Sequence, residues 1–314
     1  MLSFVCPVCH VDVPEPGSSG VRCPTCGRQF PDRDGAMDFT PNPPPDPDVQ
    51  ERWPLWEQLQ HNFVVAADEI PEHSLSVGRR ADATAFARFS DLRGSVLDVG
   101  CGPQTEPSYA VGANGRFVGI DPLRGEKQRE FTFVQGIGEY LPFADGSFDR
   151  VLFATSLDHV LSPARSLSEA RRVLSPSGTV NIWFGEVPDT ELPPPATDSP
   201  SLRRRLGDAA MHPRAAIRRL TGRTPPQPPE PAYLRELAVP TGAIDIFHVV
   251  HLSSPLVSEW LSAAGLTVAD AGRHGASVFL CARAPDASAD RGGGTRRVAR
   301  KRGSPGLGTE RAPQ

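Results

Sequence analysis

The sequence predicts an α/β protein built on a seven-stranded sheet, with a small cysteine-held unit in front of it. Three observations carry that expectation. Apolar runs of strand length recur between residues 94 and 284 with helical stretches between them. The first run, SVLDVG, enters a glycine turn, and the second, RFVGID, ends in a carboxylate. Four of the six cysteines, Cys6, Cys9, Cys23 and Cys26, stand in the first twenty-six residues as two Cys-Pro-x-Cys pairs.

Taken in order, the seven strands are expected at 95–100, 116–121, 131–136, 148–154, 179–184, 266–271 and 276–282. Amphipathic helices fit Pro163–Leu174 and Pro255–Ala264. Before the sheet, Trp53, Trp56, Leu59 and Phe63, then Ala81, Ala85, Phe86 and Phe89, recur at helical spacing, so 41–93 reads as a linker with N-terminal helices. The breaker run PNPPPDPD separates it from residues 1–40. Proline is abundant, 34 in 314 residues, which demands long stretches outside helices and central strands. Two such stretches flank a basic segment inside an insert at 185–252, and the Gly- and Arg-rich tail 285–314 is expected to be disordered.

A net charge of −4 argues against a protein that coats nucleic acid over its whole surface. Two regions stand apart: residues 201–223 hold seven arginines against one aspartate, and the tail holds seven basic against three acidic residues. These could attract an anionic partner or simply be solvated. No run approaches the roughly 18 apolar residues of a membrane span, and MLSFVCPVCH has neither the basic start nor the apolar stretch of a signal peptide. A cytoplasmic location is therefore expected. In that compartment clustered cysteines favour a metal over disulfides. Thiolates three residues apart on a tight turn share one tetrahedral ion, so Cys6, Cys9, Cys23 and Cys26 are expected to bind a structural zinc with no open position for catalysis.

The first segment, ending in Phe30, Pro31, Asp34 and Gly35, resembles the zinc ribbons of the tRNA-methyltransferase-activator type, which implies a mini-sheet and a surface for a protein partner. Its net charge of −2 disfavours gripping phosphates by itself.

In the larger region, Gly100-Cys101-Gly102 after an apolar strand lets the backbone turn sharply and approach a ligand, and Asp121 is placed to accept hydrogen bonds from a ribose diol. A third glycine of a pyrophosphate cradle is missing. VLDVGCG, Asp121, QGIGEYLPFADGSFDRVLFATSLDHV and RRVLSPSGTVNIW together resemble the class I S-adenosylmethionine-dependent methyltransferases, of the type 11-like group, over about 94–284. The resemblance implies a Rossmann-like methyltransferase sheet and S-adenosyl-L-methionine as cofactor. It implies that Gly100, Cys101 and Gly102 pass under the methionine part and that Asp98 orients the loop near the sulfonium. It places Asp121 on the ribose, Ile137 and Gly138 beside the adenine, and Ser156 and Leu157 beside the methionine end. Two departures are visible: Gly136-Ile137-Gly138-Glu139 stands where relatives commonly read GDAE, and only nine residues separate Asp121 from the third strand. That crossover is too short for a full helix, leaving one side of the pocket open or covered by something else.

Methyl transfer requires the acceptor to be aligned with the methyl group and, where needed, to lose a proton. Asp158 and His159 after the fourth strand, His248 and His251 before the last helix, and Glu186 beyond the fifth strand are the candidate groups, with His159 foremost as base. The expected acceptor is a small molecule or a glycan- or lipid-type metabolite, including anionic ones. An RNA methyltransferase using the ribbon and arginines to position RNA, and a non-catalytic scaffold, are the alternatives.

Overall fold

A computed structural model describes residues 3–17, 19–69, 80–110, 114–125, 128–186, 237 and 239–285. Most of the proline-rich insert, including every arginine of 201–223, and the tail from 286 onward lie outside the described residues. Chain contacts group Met1–Ala284 as one compact unit.

Five parallel strands form the centre of the sheet. They are β5 (Arg93–Val99), β6 (Asn114–Asp121), β7 (Thr132–Gln135), β8 (Phe148–Ala154) and β9 (Leu174–Gly185). The hairpin β10 (Thr267–His274) and β11 (Ser277–Arg283) completes seven strands in the order β10-β11-β9-β8-β5-β6-β7, with β11 antiparallel to β9. The order reverses between β5 and β8, which pair in parallel through Val96↔Arg150, Leu97↔Val151 and Asp98↔Leu152. A crevice opens there at the carboxyl ends of the strands, where ligands bind in open α/β sheets.

The central strands are Val-, Leu- and Ile-rich because both faces are covered. Val96, Leu97, Val118, Val151, Leu152, Val180 and Ile182 are all buried. On the helical side α4 (Pro163–Val173) buries Ser166, Leu167, Ala170 and Val173 at helical spacing, with a proline where the first turn needs no N–H. Next to it α5 (Ser254–Ala263) buries Val257 and Leu261. Residues 176–178 make an irregularity inside β9: the register jumps from Phe148↔Leu174 to Arg150↔Thr179, and Ser175 Oγ donates to Asp149 there.

Three helices precede the sheet: α1 (Pro47–Glu51), α2 (Trp53–Glu69) and α3 (Ala81–Ser90). α3 stops where Asp91 turns left-handed at φ 47°, and its buried Phe86 packs on Tyr109, Trp183 and Phe279. No helix among the described residues is long and apolar enough to cross a membrane.

The cysteine unit is two small hairpins, β1 (Val21–Arg22) with β2 (Gln29–Phe30), and β3 (Asp32–Arg33) with β4 (Ala36–Met37). It is not an appendage. Cys6, Phe30, Met37 and Phe39 belong to the same apolar core as Val118, Val134 and Phe143 of the sheet domain. Asp38 bridges Gln135 in parallel, Phe39 N–H donates to Gln135 O at 2.8 Å, and Val5 N–H donates to Pro142 O at 3.0 Å. Arg124, in the short β6–β7 connection, pairs with Asp34 at 2.7 Å. The side of the sheet left without a full crossover helix is thus covered by the ribbon, which also pairs with the free edge of β7.

Candidate functional site

A cavity of about 400 Å³ opens at the carboxyl ends of β5, β6 and β8. Its floor is the turn after β5. Gly100 and Gly102 have φ of +79° and +71°, and a side chain on Gly100 would run into Ser156. The turn is pinned by Gly100 N–H to Ile120 O at 2.8 Å and by Ser156 Oγ donating to Val99 O at 2.5 Å.

Asp121 closes β6 and lines the cavity. Its Oδ2 accepts from Gly102 N–H and its Oδ1 from Leu123 N–H, both at 2.7 Å. Burial pushes this carboxyl up to about 6, against the pull of those two amides. Arg129 supports the same loops, donating to the carbonyls of Gly102 and Leu123 at 3.0 and 2.9 Å. Ile137 and Gly138 line the wall after β7, and Glu139 beside them accepts from Ser162 N–H at 2.9 Å.

Asp98 stands elsewhere than the sequence suggested. It is fully buried and does not line the cavity; Oδ2 accepts from Tyr109 Oη at 2.5 Å while Oδ1 has no partner. Burial pushes it up to about 7. Leu157 likewise points into the core, whereas Ser156 and Cys101 line the cavity. The Cys101 thiol is buried and held far up by desolvation, which suits filling space rather than nucleophilic attack.

Opposite the glycine turn, His159 and His248 line the cavity, their rings 4.7 Å apart, with Asp158 beside them. His159 Nδ1 contacts Phe247 O at 3.1 Å, and His248 Nδ1 contacts Asp245 at 2.8 Å. Two other sequence candidates are not brought here. Glu186 caps α5, accepting from Ser254 N–H and Oγ at 2.8 and 2.7 Å and pairing with Arg273. These contacts hold its carboxyl down to about 2, the reverse of what a base at this site needs. His251 is exposed and does not line the cavity.

The helix α2, expected as one of the helices preceding the sheet, supplies a wall of the cavity, a role the sequence did not give it. Trp56, Gln60 and Phe63 face the cavity, Phe63 stacking on Phe247 at 5.0 Å and meeting His159 edge-on at 4.7 Å. The signal was present as aromatic residues at helical spacing, but such a stripe fits any buried face.

In the ribbon the four cysteines are free thiols whose sulfur atoms lie within 4.8 Å of one another. Cys6 Sγ is 3.6 Å from Cys26 Sγ, and Cys9 Sγ is 3.5 Å from Cys23 Sγ. Four thiolates around zinc stand about 3.8 Å apart when each bond is about 2.3 Å, so the set fits a tetrahedral ion. Cys26 N–H donates to Cys23 Sγ at 3.4 Å, the kind of outer contact that orients a thiolate ligand.

Residues 97–182 match the family model described as the methyltransferase domain. An uncharacterized methyltransferase of Mycolicibacterium gilvum (strain PYR-GCK) is 37% identical over 103 residues, covering 29% of this chain and 40% of the relative. The demethylmenaquinone methyltransferase of Lactococcus lactis subsp. lactis (strain IL1403) is 34% identical over 113 residues, 31% of this chain and 45% of the relative. The chain thus spans less than half the length of these curated relatives. Among solved structures, the Burkholderia thailandensis 1,6-didemethyltoxoflavin-N1-methyltransferase, solved with bound 1,6-didemethyltoxoflavin and S-adenosylhomocysteine, is similar at TM-score 0.47 and 15% identity, over 84% of this chain and 98% of that one. The matched stretch runs from β5 into β9 and includes the glycine turn at the cavity floor.

Proposed function

We propose that this chain transfers a methyl group from S-adenosyl-L-methionine to a small-molecule or glycan- or lipid-type acceptor, with a structural zinc in the ribbon. The observation that carries the reading is the pairing of a left-handed Gly100–Gly102 turn with Asp121 at the point where the strand order reverses. The cofactor, when bound, supplies an electrophilic methyl carbon on a sulfonium. The chain's own residues do the rest.

Asp121 presents carboxylate oxygens whose remaining lone pairs accept from a ribose diol, and the Gly102 and Leu123 amides fix their direction. Ile137 and Gly138 offer an apolar slot with backbone edges for the adenine. Trp56, Phe63 and Phe247 narrow the remaining space, excluding water and matching a compact acceptor better than a nucleic acid strand. His159 and His248 line the cavity with Asp158 beside them, and the acceptor's proton leaves at this cluster.

Calorimetry with S-adenosylhomocysteine tests the cofactor half of the proposal: binding by the wild type, weakened at least about tenfold in Asp121→Ala, is the expected result. Incubating the protein and methyl-labelled cofactor with a lysate tests the acceptor half. Label in small-molecule, glycan or lipid fractions supports it, and label lost to nuclease would replace it with RNA methylation.

A further inference from the structure

We propose that Asp158, His159 and His248 form a binding site for a divalent cation that holds an oxygen-bearing acceptor in the cavity. The proposal deepens the function above, on which its acceptor role rests, while the metal site itself stands on geometry. Two imidazoles and one carboxylate converge from two different loops, one following β8 and one preceding α5. Their ligand atoms lie within 4.8 Å of one another.

The hydrogen bonds around the cluster settle which atoms are free to bind. The Phe247 carbonyl accepts only, so His159 donates to it from Nδ1 and keeps a lone pair on Nε2. His248 donates from Nδ1 to the Asp245 carboxylate, which again leaves Nε2 with its lone pair. A histidine that meets a carboxylate or carbonyl through one nitrogen and presents the other is the usual arrangement of a metal ligand. Asp245 is itself fixed, accepting from the N–H groups of Phe247 and His248 at 2.7 and 2.8 Å.

Both free Nε2 atoms face Asp158, and neither bonds to it. His159 Nε2 lies 3.7 Å from Asp158 Oδ1, and His248 Nε2 lies 3.7 Å from Asp158 Oδ2. These gaps are too long for hydrogen bonds, and Asp158 Oδ1 is buried without a partner. An ion about 2.1 Å from each ligand spans such gaps with shifts of a few tenths of an ångström and satisfies all three groups together. The surroundings hold the site in place: Val249 N–H donates to Asp158 O, Asn62 Nδ2 donates to Ile246 O at 2.8 Å, and the Phe63 ring backs His159.

Two histidines and a carboxylate leave coordination positions open on a divalent ion, and His159 and His248 line the cavity that an acceptor would fill. The ligand class that fits is an acceptor with a hydroxyl, or a hydroxyl beside a carbonyl, that binds the ion through oxygen. Coordination makes the hydroxyl more acidic, and the Asp158 oxygen not engaged by the ion is left to accept the proton.

The test uses the full chain with zinc already filling the four cysteines, titrated with Co²⁺ by calorimetry and followed by histidine-selective ¹⁵N NMR. The expected result is one further metal equivalent per chain, broadening of the His159 and His248 signals, and loss of that equivalent in both His248→Gln and Asp158→Asn. The melting temperature of each zinc-loaded variant shows that it is folded. No equivalent beyond the ribbon's, or an equivalent that persists in both variants, overturns the site. S-adenosylhomocysteine is titrated in parallel. Cobalt uptake without nucleoside binding upholds the metal site and removes the methyltransferase reading, whereas nucleoside binding without cobalt uptake does the reverse.

Discussion

Asp98 shows how far a residue's role depends on its surroundings. Its carboxyl is buried with one oxygen on Tyr109 and the other unpaired, and burial lifts it to about 7. An unfolded aspartate releases its proton near 3.9, so between about pH 4 and 7 the folded chain holds a proton that the unfolded chain has lost. Stability from this group therefore falls as pH rises through that window. Asp121, lifted to about 6, acts in the same direction over a narrower range. In Asp98→Asn the oxygen facing Tyr109 remains and the titration disappears, so the unfolding free energy from urea titrations should decline less between pH 4.5 and 8 than in the wild type, by an amount on the order of a few kcal/mol. An unchanged slope would place the titration elsewhere. Gly100→Ala probes the turn itself: a left-handed residue gains a side chain aimed at Ser156, with an expected cost of about 1–3 kcal/mol and a loss of S-adenosylhomocysteine affinity of at least about tenfold. Both glycines and Asp121 were legible in the sequence because their chemistry is local, a turn and a strand end. Tyr109, which sits in a stretch without periodicity, was not, since only the fold brings it to Asp98.

Secondary structure elements were legible wherever burial imposes a period. All seven sheet strands and both helices assigned beyond β5 overlap their expected places; the five parallel strands stand out because strands covered on both faces must be apolar throughout, whereas β10 and β11 form an antiparallel hairpin at the edge. What the sequence hid is which element faces which. α2 reads as one more amphipathic helix, and only packing shows that Trp56 and Phe63 wall the cavity. Glu186 was misread for a similar reason. At the end of a strand it resembles an active-site acid, yet it reaches the first turn of α5, where unpaired N–H groups and the helix dipole favour a carboxylate. With its carboxyl held at about 2, Glu186 contributes stability that is complete above its unfolded value near 4.5 and is lost as pH falls through the folded one. Glu186→Gln keeps an oxygen for Ser254 and loses the charge. The expected cost at pH 7 is about 1 kcal/mol or less, with a weaker loss of stability on acidification from pH 4.5 to 2, read from thermal melts. Methyl transfer should be retained, and its loss would return Glu186 to the catalytic candidates.

At the scale of the whole molecule the decisive feature is that the ribbon and the sheet share one core. The spacing of the cysteines announced a metal-bound unit but suggested a separate module, since a Pro-rich run follows it. The short β6–β7 connection supplies the missing reason for contact: a sheet edge without a full crossover helix leaves apolar side chains and backbone groups exposed. Phe30 and Phe39 cover those side chains, and Asp38 and Phe39 pair with Gln135 on β7. His10 adds a contact 3.6 Å from Glu169 on α4. With the proposed zinc bound, the ion holds four thiolates together, and metal binding of that kind is folding free energy. Since the same aromatic residues serve both parts, that free energy should reach the sheet. Chelation, or Cys6→Ser with Cys9→Ser, is expected to lower a single cooperative transition of the whole unit rather than remove a separate early one. Calorimetric scanning with and without a strong chelator distinguishes these cases. A main transition that keeps its temperature after the metal is gone would show that the ribbon folds for itself. A main transition that drops, with S-adenosylhomocysteine affinity falling alongside, would show that the wall formed by Ile137 and Gly138, directly after β7, depends on the ribbon behind it.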